Sequence, residues 1–84
     1  ANIQKFFNDS FHQIAEESAQ GSGQHLEALA SLSGCSAEQY GTFEAAMNRN
    51  HRYVFAEQDY DGSVNNFFNV LNTDEDLKQC FGHS

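Results

Sequence analysis

Two cysteines, four histidines and a few short charged runs are the side chains of this 84-residue chain whose spacing could carry chemistry. Cys35 and Cys80 stand far apart. No C-x-x-C occurs, which excludes a dithiol redox motif, and His51 and His83 lack the spacing that would complete a zinc site with them. A disulfide across the intervening loop fits best, and in the chain-entropy picture it contributes roughly 4 kcal/mol. The competing reading is two unrelated buried thiols in a reducing compartment, kept open by the helical position of Cys80.

The run from Glu57 to Phe68 resembles a calcium loop. Acids fall at its first, third and fifth positions (Glu57, Asp59, Asp61), Gly62 at the sixth and apolar Val64 at the eighth. The twelfth position is Phe68, where a bidentate glutamate must stand, and the first is Glu, not Asp. The shell is too short, so the metal is disfavoured and an Asp-Gly turn before a capped helix is expected. No cofactor is expected elsewhere. Gly21-Ser22-Gly23 opens a helix and could cradle a phosphate, but no strand precedes it and no Lys or Arg is near, so a plain interhelical turn is expected. His12 and Glu16, four apart, make a pair without a third ligand, and His25 reads as a packing or capping residue. Neither H-E-x-x-H nor G-x-S-x-G is present. Arg49, His51 and Arg52 cluster in Asn48–Tyr53 and are the candidate anion or partner contact. Basic residues near a helix C-terminus are also favoured by the helix dipole alone.

The elements that must position these groups are helices. There is no proline, Val, Ile and Thr are few, and Gln, Glu, Ala, Leu and Asn are plentiful. Ile3, Phe6, Phe7, Phe11, Ile14, Ala15 and Ser18 share one face, predicting a helix over about residues 3–20. Gly21-Ser22-Gly23 ends it. Leu26, Leu29, Ala30 and Leu32 make a short central helix over about 23–33, stopped by a left-handed Gly34. Ser36 and Gln39 form a capping box for a third helix with seam Tyr40, Phe43, Met47 and Val54, ending near Ala56. Gly41 inside it points to a close helix crossing. Asp61 or Ser63 caps a fourth helix carrying Val64, Phe67, Phe68 and Leu71. Thr73 caps a fifth with stripe Leu77, Cys80 and Phe81, stopped by Gly82. Eight Phe and three Tyr are many for this length. In Phe6-Phe7 and Phe67-Phe68 only one ring of each pair can point straight inward, leaving the other to line a groove or interface.

Twelve acidic residues against four basic ones give a formal net charge of −8. Nucleic acid and anionic membrane are poor partners for such a chain, and no apolar run approaches the roughly 18 residues of a membrane span. The chain lacks an initiator Met and a basic-then-apolar leader. A start after a processing site, a domain cut or a tag scar is expected, so Ala1 and Asn2 need not be native, and a mature exported protein is preferred because of the cysteines.

The run Ile14–Cys35, with its Ala-Gln-Gly-x-Gly turn, its Leu-x-x-Leu-Ala-x-Leu helix and its Gly34 stop, together with Phe43 and Asn50–Phe55, resembles a family of small exported bacterial proteins, domain of unknown function 3015. The likeness spans about the first two thirds of the chain. It implies a signal peptide and a periplasmic or secreted home, and it brings no activity and no catalytic residues.

These readings converge on a single all-α domain over residues 1–84, a compact orthogonal bundle of four to five short helices with one disulfide. Two function classes follow. One is a non-enzymatic binding or accessory module of the bacterial cell envelope, meeting a protein partner or forming a homodimer through exposed aromatics or the Arg49–Arg52 corner. The other is a small metal-dependent or His/carboxylate enzyme, which requires a deep pocket holding His12 or His25 beside two carboxylates.

Overall fold

The computed structural model describes residues 2–57 and 59–81, and of Phe81 only the backbone. Six α-helices follow one another: α1 (Ile3–Asp9), α2 (Phe11–Gln20), α3 (Gln24–Leu32), α4 (Tyr40–Val54), α5 (Tyr60–Thr73) and α6 (Glu75–Phe81). A 3-10 turn, Ala37–Gln39, leads into α4, and there is no strand among the described residues. The radius of gyration is 11.1 Å, near the roughly 12 Å expected of a compact chain this long. The Gly82 stop, the Phe81 side chain and His83 lie outside the described residues.

The all-α class is as expected, and the extra helix comes from a break in the first predicted one. The helix expected over residues 3–20 is broken at Ser10, whose backbone (φ −113°, ψ 25°) leaves the helical region while its N–H still bonds Phe6 O. The Ser10 side chain makes no capping bond to α2, so the step follows from what the two halves pack against. The break lets α1 turn onto α3 and α5 while α2 lies against α3 and α4. The hub is α4, which meets α2, α3, α5 and α6. The leucine helix α3, expected to be central, is one layer of the packing.

One apolar cluster fills the middle, drawing on every α-helix. Phe7, Phe43 and Phe67 are fully buried, whereas Phe6 and Phe68 sit at its margin. This is the one-in, one-out division expected of adjacent phenylalanines. Phe7 stacks on Phe55 (centroids 5.8 Å apart, 9° between planes) and tilts against Phe67 at 5.4 Å. Each such ring contributes roughly 2–3 kcal/mol by leaving water.

Cys35 and Cys80 are joined, and both sulfur-bearing residues are buried. The bond fastens α6 to the corner after α3, where Gly34 takes the left-handed conformation (φ 99°). A side chain at Gly34 would also press on the Cys80 carbonyl, at 3.3 Å.

Several end signals fall elsewhere than the sequence suggested. The Ser36–Gln39 capping box forms but introduces the 3-10 turn. Gly41 is exposed, with nothing within 4 Å of the place its Cβ would occupy, so it marks no helix crossing. α4 stops at Val54. α5 is capped by Asp59, whose Oδ1 accepts from Gly62 N at 2.7 Å. Asp61 and Ser63 lie inside that helix, and buried Ser63 donates its hydroxyl to Glu57 O at 3.0 Å. Asp74, not Thr73, caps α6, while the Thr73 hydroxyl bonds back to Asn69 O at 2.8 Å.

Candidate functional site

The Gly21–Gly23 turn has the shape of an anion cradle, and the chain fills it with its own carboxylates. Glu17 Oε1 accepts from the backbone N–H of His25 (2.8 Å) and Leu26 (3.0 Å), and Oε2 from His25 Nδ1 (2.6 Å). Glu44, reaching across from α4, accepts from Gly23 N at 2.9 Å. Exposed N–H groups at a helix start attract negative charge whether it arrives as a phosphate or a side chain. A Cβ at Gly23 would collide with the Glu17 side chain, which explains the glycine there. Asn48 completes the corner by donating to Ser18 O (3.0 Å) and Ala19 O (3.1 Å), closing the C-terminal end of α2. The turn is thus an interhelical turn closed by an internal clamp; the capping group is Glu17, and His25 donates to it from both its backbone N–H and its ring. Its ring also stacks on Phe6 at 6.5 Å.

Arg49, His51 and Arg52 do not converge on one point. Arg49 Nη2 donates to both oxygens of Asp74 (2.9 and 3.1 Å) and to Asp76 Oδ2 (3.2 Å). Asn50 Nδ2 adds a bond to Asp74 Oδ2 at 2.9 Å. These contacts bind α4 to the start of α6. Burial pushes the Asp74 carboxyl up, but the hydrogen bonds of Arg49, Asn50 and the Asp76 N–H, with the Arg49 charge, outweigh it and hold the group below the ordinary carboxylate value. Arg49 is raised in turn, first by its bond to Asp74. His51 Nδ1 donates to Asn48 O at 2.7 Å. Arg52 is exposed and makes no ion pair among the described residues.

Glu57, Asp59 and Asp61 do not wrap a cation-sized space. Tyr60–Thr73 is helix, so most of the calcium-like stretch is already wound, and Asp59 turns one oxygen to the Gly62 N–H in the first turn of that helix. Among the described residues no cluster of three His, Cys, Asp or Glu side chains has metal-binding geometry.

The start of α5 meets the start of α2 in a shallow groove of about 270 Å³ lined by Phe11, His12, Asp59 and Tyr60. Phe11 stands between perpendicular neighbours, Tyr60 at 5.1 Å and 90° and His12 at 5.6 Å and 77°, with Phe55 behind it at 5.6 Å. Tyr60 is 47% exposed, and Tyr53 at 44% is the other large aromatic turned outward among the described residues. Tyr53 is held in place: its hydroxyl accepts from Asn69 Nδ2 (2.8 Å) and its carbonyl from Asn66 Nδ2 (2.9 Å). The groove places His12 beside one carboxylate, not two, and His25 does not line it. Its aromatic walls and single acid suit contact and cation recognition better than proton transfer between paired acids. The surplus of Phe and Tyr signalled such a surface in the sequence, but the joining of Phe11 to Tyr60, 49 positions later, had no local signal.

No helix among the described residues is long and apolar enough to cross a membrane. No curated protein and no solved structure matches the chain. Over residues 1–81 it matches the family described as Protein of unknown function (DUF3015), and the chain belongs to that family.

Proposed function

We propose that this chain is a small exported binding module of the bacterial cell envelope, periplasmic or secreted, that acts by contact with a protein and not by catalysis. The observation that carries the reading is how its side chains are allotted. Glu17, Glu44, Asn48, Arg49, Asn50 and Asp74 each hold one helix to another. Aromatic surface at Tyr53 and Tyr60 faces outward. Outward-facing rings held in a fixed orientation are what a contact surface uses. The buried disulfide supports the location, since such bonds persist in oxidising compartments. The net charge of −8 fits neither a phosphate backbone nor an anionic bilayer.

Two measurements test this. The full-length gene product, epitope-tagged in its bacterial host, should fractionate with periplasm or medium and show no free thiol after alkylation without reductant. A cytoplasmic pool with two free thiols would overturn the location. A photo-crosslinking residue at position 53 or 60 should give one discrete adduct in the cell. Folded protein that gives none from either position overturns the contact role, and an adduct of twice its own mass identifies the partner as a second copy.

A further inference from the structure

Resting on that reading, we propose that the groove between α2 and α5 receives a basic side chain, Lys or Arg, presented by a segment of the partner protein. The walls are the argument. Phe11 meets His12 and Tyr60 nearly at right angles and about half of Tyr60 is exposed, so aromatic surface of differing orientation borders the groove, the kind of surface that attracts a cation. Asp59 stands in the same groove, and among the described residues the helix cap engages its Oδ1 and not its Oδ2. Its second oxygen is the anion a guanidinium or ammonium would meet once the rings have removed part of its water.

The surroundings agree in sign. Glu57 and Asp61 flank Asp59 in the chain and are exposed, and Glu16 lies one exposed turn along α2 from His12. Three of the four basic residues, Lys5, Arg49 and Lys78, lie against carboxylates of the chain itself. The fourth, Arg52, does not line the groove. A chain of charge −8 draws a basic segment toward it at long range, and the rings fix where that segment stops. An apolar groove would accept any greasy segment, whereas this one carries a carboxylate that an apolar occupant would bury unpaired.

The test is a titration of the full disulfide-bonded chain, followed by backbone amide NMR, with a blocked nonapeptide of alternating Lys and Ala. The expected result is saturable shifts at residues 11, 12, 59 and 60, and none from the same peptide with norleucine in place of Lys. Asp59→Asn keeps the helix cap, because asparagine caps as well as aspartate. Tyr60→Leu keeps apolar contact with Phe11 but removes the π face. Each should weaken binding about three- to fivefold, while Glu38→Gln on the distant 3-10 turn leaves it unchanged. Shifts spread evenly over the acidic surface, or equal losses from Glu38→Gln and Asp59→Asn, would overturn the proposal. Spermine binding the groove as tightly as the peptide would overturn a protein segment as its occupant. A crosslink at position 60 with no charge-dependent titration would remove the basic chemistry and leave the contact role standing.

Discussion

Replacing Glu17 with alanine should unfasten the corner between α2 and α3. The carboxylate accepts three hydrogen bonds, at 2.6, 2.8 and 3.0 Å, and its side chain is only 15% exposed. Loss of a helix cap alone costs about 1 kcal/mol. Bonds to a charged acceptor add about 1.5–3 kcal/mol when the donors are left partly buried. Water recovers some of this at the half-buried His25, so about 3 kcal/mol is the expected loss for Glu17→Ala and about 1 kcal/mol for Glu17→Gln, which keeps an acceptor oxygen. On a domain this small the alanine variant should melt about 15 °C lower. Glu44→Ala, which removes one bond to the same turn, should cost about 1 kcal/mol, and the double variant should depart from the sum by more than about 0.5 kcal/mol. Calorimetry and amide exchange at His25 and Leu26 measure both quantities. A Glu17→Ala protein that melts within about 3 °C of the parent, with those two amides still protected, would refute the internal-clamp account.

Reducing the bond between Cys35 and Cys80, or replacing both with alanine, should cost roughly 4 kcal/mol for a separation of 45 residues, read from urea melts with and without a phosphine reductant. Two glycine changes should move stability in opposite directions. Gly41→Ala, in an open helix interior, should gain about 1 kcal/mol. Gly34→Ala, at φ +99° and against the Cys80 carbonyl, should lose about 1–2 kcal/mol. The Asp74 carboxyl is held below its ordinary value of 3.8, so its contribution is fully present above that pH and is lost as pH falls through the lower folded value. Chemical denaturation between pH 5 and pH 2 should therefore show a loss that Asp74→Asn reduces, and an identical pH slope in the two proteins would count against it.

Periodic features were legible in the sequence because they are local. The stripes of α3, α4 and α5, the Gly34 stop, the Ser36–Gln39 box and the choice of one ring from each phenylalanine pair all follow from spacing over a few residues. The cysteine pairing was the favoured reading once redox and zinc motifs were excluded, and the structure decides it against two separate buried thiols. What failed was settled by tertiary context. Ser10 breaks a continuous apolar stripe because α1 must turn to reach α5, and Gly41 proved to be solvent-facing. Asp59 and Asp74 won their caps from nearby Ser, Thr and Asp residues that were equally eligible on paper. Glu17 and Glu44 were missed as the organisers of the glycine turn. A carboxylate eight residues ahead of its target has no propensity signature, and one reaching 21 residues back from another helix has none either. The candidate groove was legible only as a surplus of aromatic residues.

The bridge between Cys35 and Cys80 makes the chain a noose that contains the whole of α4 and α5. A protease that cut the exposed stretch near Ala56 and Glu57 would add the mass of one water and liberate no fragment. On a gel run without thiol the nicked molecule would migrate as one piece, and only a reductant would part it in two. Wear of this kind could accumulate unseen in a compartment that supplies no reductant.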